Sequence, residues 1–156
     1  MLFVPTLEGR FDALGEAVRS AEKVDAALVS RILAEAGTRI TMLRRAGKAA
    51  HIDRLIAAQA WRELAFALVE DELPAWTLRR LVHEDGEWHC ALSRQPNLPL
   101  EVDDVAEASH ASLSIAILCA LIEARRKVED TRQAARAPVP ALRIGGQQVV
   151  CCDNFS

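Results

Sequence analysis

One stretch of the chain decides the fold that we expect: Trp76-Thr-Leu-Arg-Arg-Leu-Val-His-Glu-Asp-Gly-Glu-Trp-His-Cys-Ala-Leu-Ser93. Its Asp85-Gly86 pair is a strong signal for a two-residue hairpin loop, because both residue types tolerate the positive φ of a type I′ turn. We therefore predict a β-hairpin over about residues 76–93. With Asp85-Gly86 as the loop, the facing pairs are Glu84 with Glu87, His83 with Trp88, Val82 with His89 and Leu81 with Cys90.

Helical patterns precede this hairpin. From Phe11 to Ala36 apolar residues recur at helical spacing, which predicts one long amphipathic helix that ends near Gly37. A shorter pattern follows over residues 38–46. From about residue 50 the spacing again predicts a long helix, which Pro74 ends.

A third long helix is expected after the hairpin. Asp104 and Glu107 have the spacing of a capping box, so we predict that the helix begins there and runs to about Arg136. The resulting fold class is mainly α (α+β): a helical bundle-like domain of three long helices with one inserted β-hairpin. We assign residues 1–136 to this single domain and residues 137–156 to a loosely ordered C-terminal tail.

Composition supports an ordinary globular protein. The chain has 156 residues, of which 51% are hydrophobic and 26% are charged, and a length of this order suits one domain. The net charge of -3 implies no overall attraction to nucleic acid or to an anionic membrane. The N-terminus lacks the pattern of a secretory signal, so a cytoplasmic location is expected.

Three residues around the hairpin are candidate metal ligands. On the predicted pairing His83 and Cys90 share one face of the hairpin, and His110 lies on the predicted helix that follows; imidazole and thiolate are the usual ligands of zinc. The alternative is that these are ordinary strand and core residues. Glu107 and His110 also have Glu-x-x-His spacing, but the chain contains no second such motif to complete a di-metal site.

Other chemistry has less support. Arg31 to Arg54 is rich in basic residues, and the segment Thr38–Arg45 is a candidate recognition helix of a helix-turn-helix, although the chain as a whole is acidic. We find no glycine loop for a nucleotide, and no cofactor is expected. The vicinal Cys151-Cys152 pair lies one residue too early for a prenylation box.

Part of the chain resembles a known family. The run Glu72-Leu-Pro-Ala-Trp76 through the hairpin to Ser93, with Ser109-His110 and Ala116-Ile-Leu118, resembles a family of uncharacterised bacterial proteins. The resemblance covers about residues 50–127. It implies no activity and supplies no site residues.

Three functional hypotheses follow. The first is a non-enzymatic protein-interaction or regulatory domain, with self-association through the predicted 11–36 helix as one form of it. The second is a small metal- or ligand-binding enzyme that uses His83, Cys90 and His110 beside the hairpin. The third is a DNA-binding regulator.

Overall fold

A three-stranded antiparallel sheet and six helices make up the part of the chain that the structure, a computed structural model, describes, residues 6–138. The strands are β1 (Thr77–Glu84), β2 (Glu87–Ser93) and β3 (Val105–His110), in the order β1-β2-β3. The helices are α1 (Leu7–Arg19), α2 (Ala26–Ala36), α3 (Thr38–Arg45), α4 (Ala50–Ala57), α5 (Trp61–Glu72) and α6 (Leu113–Arg136).

The predicted hairpin is confirmed, including its register. Asp85 and Gly86 have φ of 50° and 81°, as the turn requires, and all four predicted facing pairs are present. The register shifts farther from the turn, between Leu78 and Arg80.

The prediction of three long helices is wrong, because two of the helical patterns are interrupted. The first ends at Arg19, and α2 begins where the Asp25 carboxylate accepts a hydrogen bond from the Leu28 amide at 2.7 Å. The second is divided where Gln59 takes a φ of 51° between α4 and α5. The apolar spacing does not reveal either break, because the helices on both sides of it turn an apolar stripe toward the same core.

The helix predicted from Asp104 begins later, and its first turns are instead a strand. Val105–His110 pairs along the whole free edge of β2, where the exposed backbone groups of an edge strand need partners. Burial alternates along β3, with Ala106 buried and Glu107 exposed, which is the period of a strand. The hairpin is therefore part of a larger sheet.

The central element is α6. Every residue from Ile115 to Ile122 is buried, and the helix contacts α1, α5, β2 and β3. Gly15 on α1 faces α6, and a Cβ there would lie 3.8 Å from the Ile122 side chain, an ordinary contact distance. Residues 139–156, including Cys151 and Cys152, lie outside the described part of the chain.

Two further observations bear on the early hypotheses. The apolar residues Phe11, Leu14, Val18 and Ile32 are buried inside the chain, so the expected 11–36 stripe is not free for self-association. Within residues 6–138, the helices fall short of the length and apolarity that crossing a membrane requires.

Candidate functional site

The predicted ligands His83, Cys90 and His110 lie on one face of the sheet. Trp88 is paired with His83 on one side and with His110 on the other, so the indole stands between the two imidazoles. The His83 and Trp88 rings are 4.8 Å apart between centroids. Cys90 lies two residues farther along β2, on the same face and fully covered.

The chemistry of these residues gives the metal hypothesis no support. The Ser112 amide donates to Nδ1 of His110 at 2.9 Å, so a neutral ring carries its proton on Nε2 and has no free lone pair. Cys90 is 1% exposed, and burial, with Cys119 nearby, raises the pKa of its thiol to about 11, as is typical of a cysteine that packs in a core. Among the described residues, no group of three or more His, Cys, Asp or Glu side chains is arranged to hold a metal ion.

The Glu-x-x-His spacing of Glu107 and His110 also does not form a pair of metal ligands. On a helix this spacing places both side chains on one face, but on β3 residues three apart point to opposite faces. Glu107 faces outward, across Ala91 from Arg80.

A different site lies at the other end of the molecule, between α3, the α5–β1 link and α6. We call it the arginine pocket: a half-open cavity of about 510 Å³ with an apolar floor that includes Leu73, Trp76 and Val128. Met42 on α3 stands at its rim and is 64% exposed. Four arginines also line it: Arg39, Arg94, Arg125 and Arg132.

A buried ion pair forms one wall of the arginine pocket. The side chains of Glu72 and Arg125 are 2% and 6% exposed, with 3.3 Å between Oε1 and Nε. Arg125 Nε also donates to the carbonyl of Ala36, the last residue of α2. The pair thus fastens α5 and α6 to the α2–α3 junction.

Glu72 also caps α3. Its two carboxylate oxygens accept hydrogen bonds from the amides of Arg39 and Ile40 at 3.2 and 3.0 Å, which serve the free donors at the start of the helix. The preceding residue, Gly37, has no side chain to do this, and a Cβ there would lie 2.7 Å from the Leu33 carbonyl oxygen. Burial raises the pKa of the Glu72 carboxyl above its ordinary value, although these amides and Arg125 act in the opposite direction.

The remaining arginines leave the pocket positively charged. Among the side chains that the structure describes, residues 6 and 9–138, Arg39 and Arg94 have no acidic side chain within 4.0 Å, and Arg132 reaches Glu129 at 4.0 Å. Glu72 pairs with Arg125 and also attracts Arg39 more weakly. The lining thus carries four arginines against one carboxylate and has a net positive charge.

Sequence reasoning missed this site, although one signal was present. Arg125 follows Leu121 and Ile122 at helical spacing, which places it on the buried stripe of α6 rather than on the solvent side. Glu72 follows Leu68 and Val69 on α5 in the same way. A charge of each sign on two buried stripes indicates an internal ion pair, because an unpaired buried charge is costly.

Comparison of the chain with family models, curated proteins and solved structures gave no match. The resemblance over residues 50–127 stays a prediction, and function has to be inferred from the site.

Proposed function

We propose that this chain is a non-enzymatic protein-interaction domain whose arginine pocket holds an acidic segment of a partner protein. The observation that carries the proposal is the excess of arginines over carboxylates in the lining, Arg39 and Arg94 among them, beside the apolar side chains of Leu73 and Trp76. Arginine binds carboxylates through paired N–H donors, and an apolar cavity of this size accepts aliphatic side chains. An acidic segment with an apolar anchor residue satisfies both parts.

The surface around the pocket favours a protein segment over a small molecule. Met42, which also lines the cavity, is largely exposed, and flexible methionine side chains are frequent at protein-binding surfaces. The exposed helix α3, which buries only Ile40, extends the positive surface through Arg45. Such a surface is wider than a small ligand would use.

The polar groups of the pocket are suited to holding a ligand rather than to catalysis. Both oxygens of Glu72 are engaged by α3 and Arg125, so this carboxylate is not free to act as a general base. The Thr131 hydroxyl donates to the Lys127 carbonyl within α6. The free arginines are charged at every physiological pH and do not transfer protons.

The DNA-binding hypothesis has weaker support. In a helix-turn-helix the two helices are joined by a turn of about three or four residues, whereas Gly37 alone separates α2 from α3. The same arginines would nevertheless attract phosphate, so duplex DNA belongs in the test.

Binding of a labelled probe peptide tests the proposal. The probe carries glutamates around two central leucines, and a second peptide replaces the glutamates with lysines. We expect the acidic peptide alone to bind, and the Arg39→Glu/Arg94→Glu variant to weaken binding by at least about tenfold. The control is Arg54→Glu, an exposed arginine on α4, which should bind like the wild type.

Two results would contradict the proposal. One is that the acidic and basic peptides bind equally well, or that Arg54→Glu weakens peptide binding as much as Arg39→Glu/Arg94→Glu does. The other is tighter binding of duplex DNA that depends on Arg39 and Arg94, which would assign the surface to nucleic acid instead.

A further inference from the structure

A second exposed apolar surface lies on the segment between β2 and β3, residues 94–104, which we call the 94–104 loop. Three of its side chains point into solvent: Leu98 is 37% exposed, Leu100 58% and Val102 69%. In the described residues only two other large hydrophobic side chains are this exposed, Met42 at the rim of the arginine pocket and Leu78 on β1. Because contiguous exposed apolar patches mark interaction sites, three such side chains within five residues make this loop a candidate for one.

The 94–104 loop is held in one conformation by Asp103. The carboxylate of Asp103 is fully covered and accepts hydrogen bonds from the Ser93 hydroxyl, the Arg79 guanidinium and, at 2.9 Å, the Gln95 amide. Arg79 also donates to the Leu98 carbonyl. Because the loop is already ordered, its docking would cost little conformational entropy.

The loop and the arginine pocket are complementary in both polarity and charge. The loop presents aliphatic side chains next to the exposed carboxylates of Glu101 and Asp104. Its one basic residue, Arg94, stands at its first position and lines the arginine pocket of the same chain, so the rest of the loop is acidic. The pocket presents apolar side chains together with a lining of four arginines and one glutamate. An acidic segment with apolar anchors, the ligand proposed above, is thus part of this chain.

We propose that the chain self-associates, with the 94–104 loop of one copy docked in the arginine pocket of a second copy. This inference rests on the proposed function and names the partner as another molecule of the same protein. Leu100 of the partner subunit supplies an apolar anchor, and Glu101 of the partner subunit faces the guanidinium groups. The surface differs from the predicted 11–36 stripe, which is buried.

Light scattering on the full-length protein over a concentration series tests the inference. We expect the wild type to exceed the monomer mass as concentration rises. Leu100→Ser/Val102→Ser in the loop and Arg39→Glu/Arg94→Glu in the pocket should each weaken association by at least about tenfold. Leu78→Ser removes an exposed leucine outside both surfaces and should leave association unchanged.

Mixing the two impaired variants gives the decisive measurement. The loop variant keeps an intact pocket and the pocket variant keeps an intact loop, so their mixture should form a heteromer although neither associates alone. A wild type that stays monomeric, or association that survives both double substitutions, overturns the inference. If the protein stays monomeric while the acidic peptide binds, the proposed function stands and only the identity of the partner is wrong.

Discussion

At the scale of single residues, the Glu72 and Arg125 pair determines the shape of the arginine pocket. Each charge is buried, and each is neutralised by the other and by backbone groups of the α2–α3 junction. A buried charge of this kind contributes little net stability as part of a pair, but the loss of one partner leaves the other uncompensated. The pair is therefore sensitive to substitution.

Glu72→Gln should lower the free energy of unfolding by about 3 kcal/mol, because Arg125 would stay buried without its counter-charge. Urea denaturation measures this. Glu70→Gln is the matched control, since Glu70 is exposed on the same helix and its substitution should change stability by no more than about 0.5 kcal/mol. Equal stability of the two variants would show that the ion pair does not hold the junction.

Asp103 makes stability depend on pH in a defined direction. Burial alone would raise the pKa of Asp103, but hydrogen bonds from Ser93, Gln95 and Arg79 lower it below its ordinary value of 3.8. A carboxyl whose folded-state pKa is lowered stabilises the fold above its unfolded pKa, and this contribution is lost as the pH falls through the folded pKa.

Asp103→Asn should therefore be less stable than the wild type at neutral pH, and the difference should shrink as the pH falls below 3.8. Thermal unfolding at a series of pH values measures both effects. Asp104→Asn changes the neighbouring exposed carboxyl and should preserve the wild-type pH profile. A constant difference between Asp103→Asn and the wild type across the series would contradict this interpretation.

At the scale of elements, the sequence predicts best those features that depend on interactions between residues close together in the chain. The hairpin and its register were predictable because Asp85-Gly86 fixes the turn within two residues. The strand β3 was not, because its pairing is with β2 and its polar residues also fit the first turn of a helix. The pocket was not predicted either, since Arg39, Arg94 and Arg125 meet only after α3, the start of the 94–104 loop and α6 have packed.

Substitution by alanine should change the stability of the protein in opposite directions at two glycines, Gly86 and Gly15. Gly86→Ala should destabilise the protein by about 1 kcal/mol, because the turn holds this residue at a φ of 81°. Gly15→Ala should stabilise it by about 0.5 to 1 kcal/mol, because α1 gains helix propensity and the new Cβ lies at ordinary contact distance from Ile122. Chemical denaturation measures the free energy of unfolding of both variants. A lower free energy of unfolding for Gly15→Ala would contradict this prediction, because it would mean that the interface between α1 and α6 has no room for a methyl group.

At the scale of the whole molecule, the helices and the sheet share one hydrophobic cluster. Buried residues from α1, α2, α5, β2 and α6 are contiguous, with Leu14, Ile32, Leu68, Leu92 and Leu118 among those that are almost fully covered. A single core of this kind predicts that the described elements unfold together.

Tryptophan fluorescence and far-ultraviolet circular dichroism should therefore give coincident unfolding curves. The three tryptophans are Trp61 at the start of α5, Trp76 in the pocket lining and Trp88 on the sheet. Fluorescence therefore reports the packing around all three, while dichroism reports mostly the helices. Separate midpoints would show that the sheet and the helices are independent units.

The later turns of α3 have few buried contacts, which has a consequence for local motion. Ile40 is the one fully buried residue of the helix, Leu43 packs on the core only in part, and the hydrogen bonds to Glu72 hold only the first turn. Segments with so few buried contacts open without unfolding the rest of the protein. The amides of α3 should thus exchange their hydrogens with solvent much faster than those of α6, and an occupant of the neighbouring cavity should slow that exchange before it alters any other part of the chain.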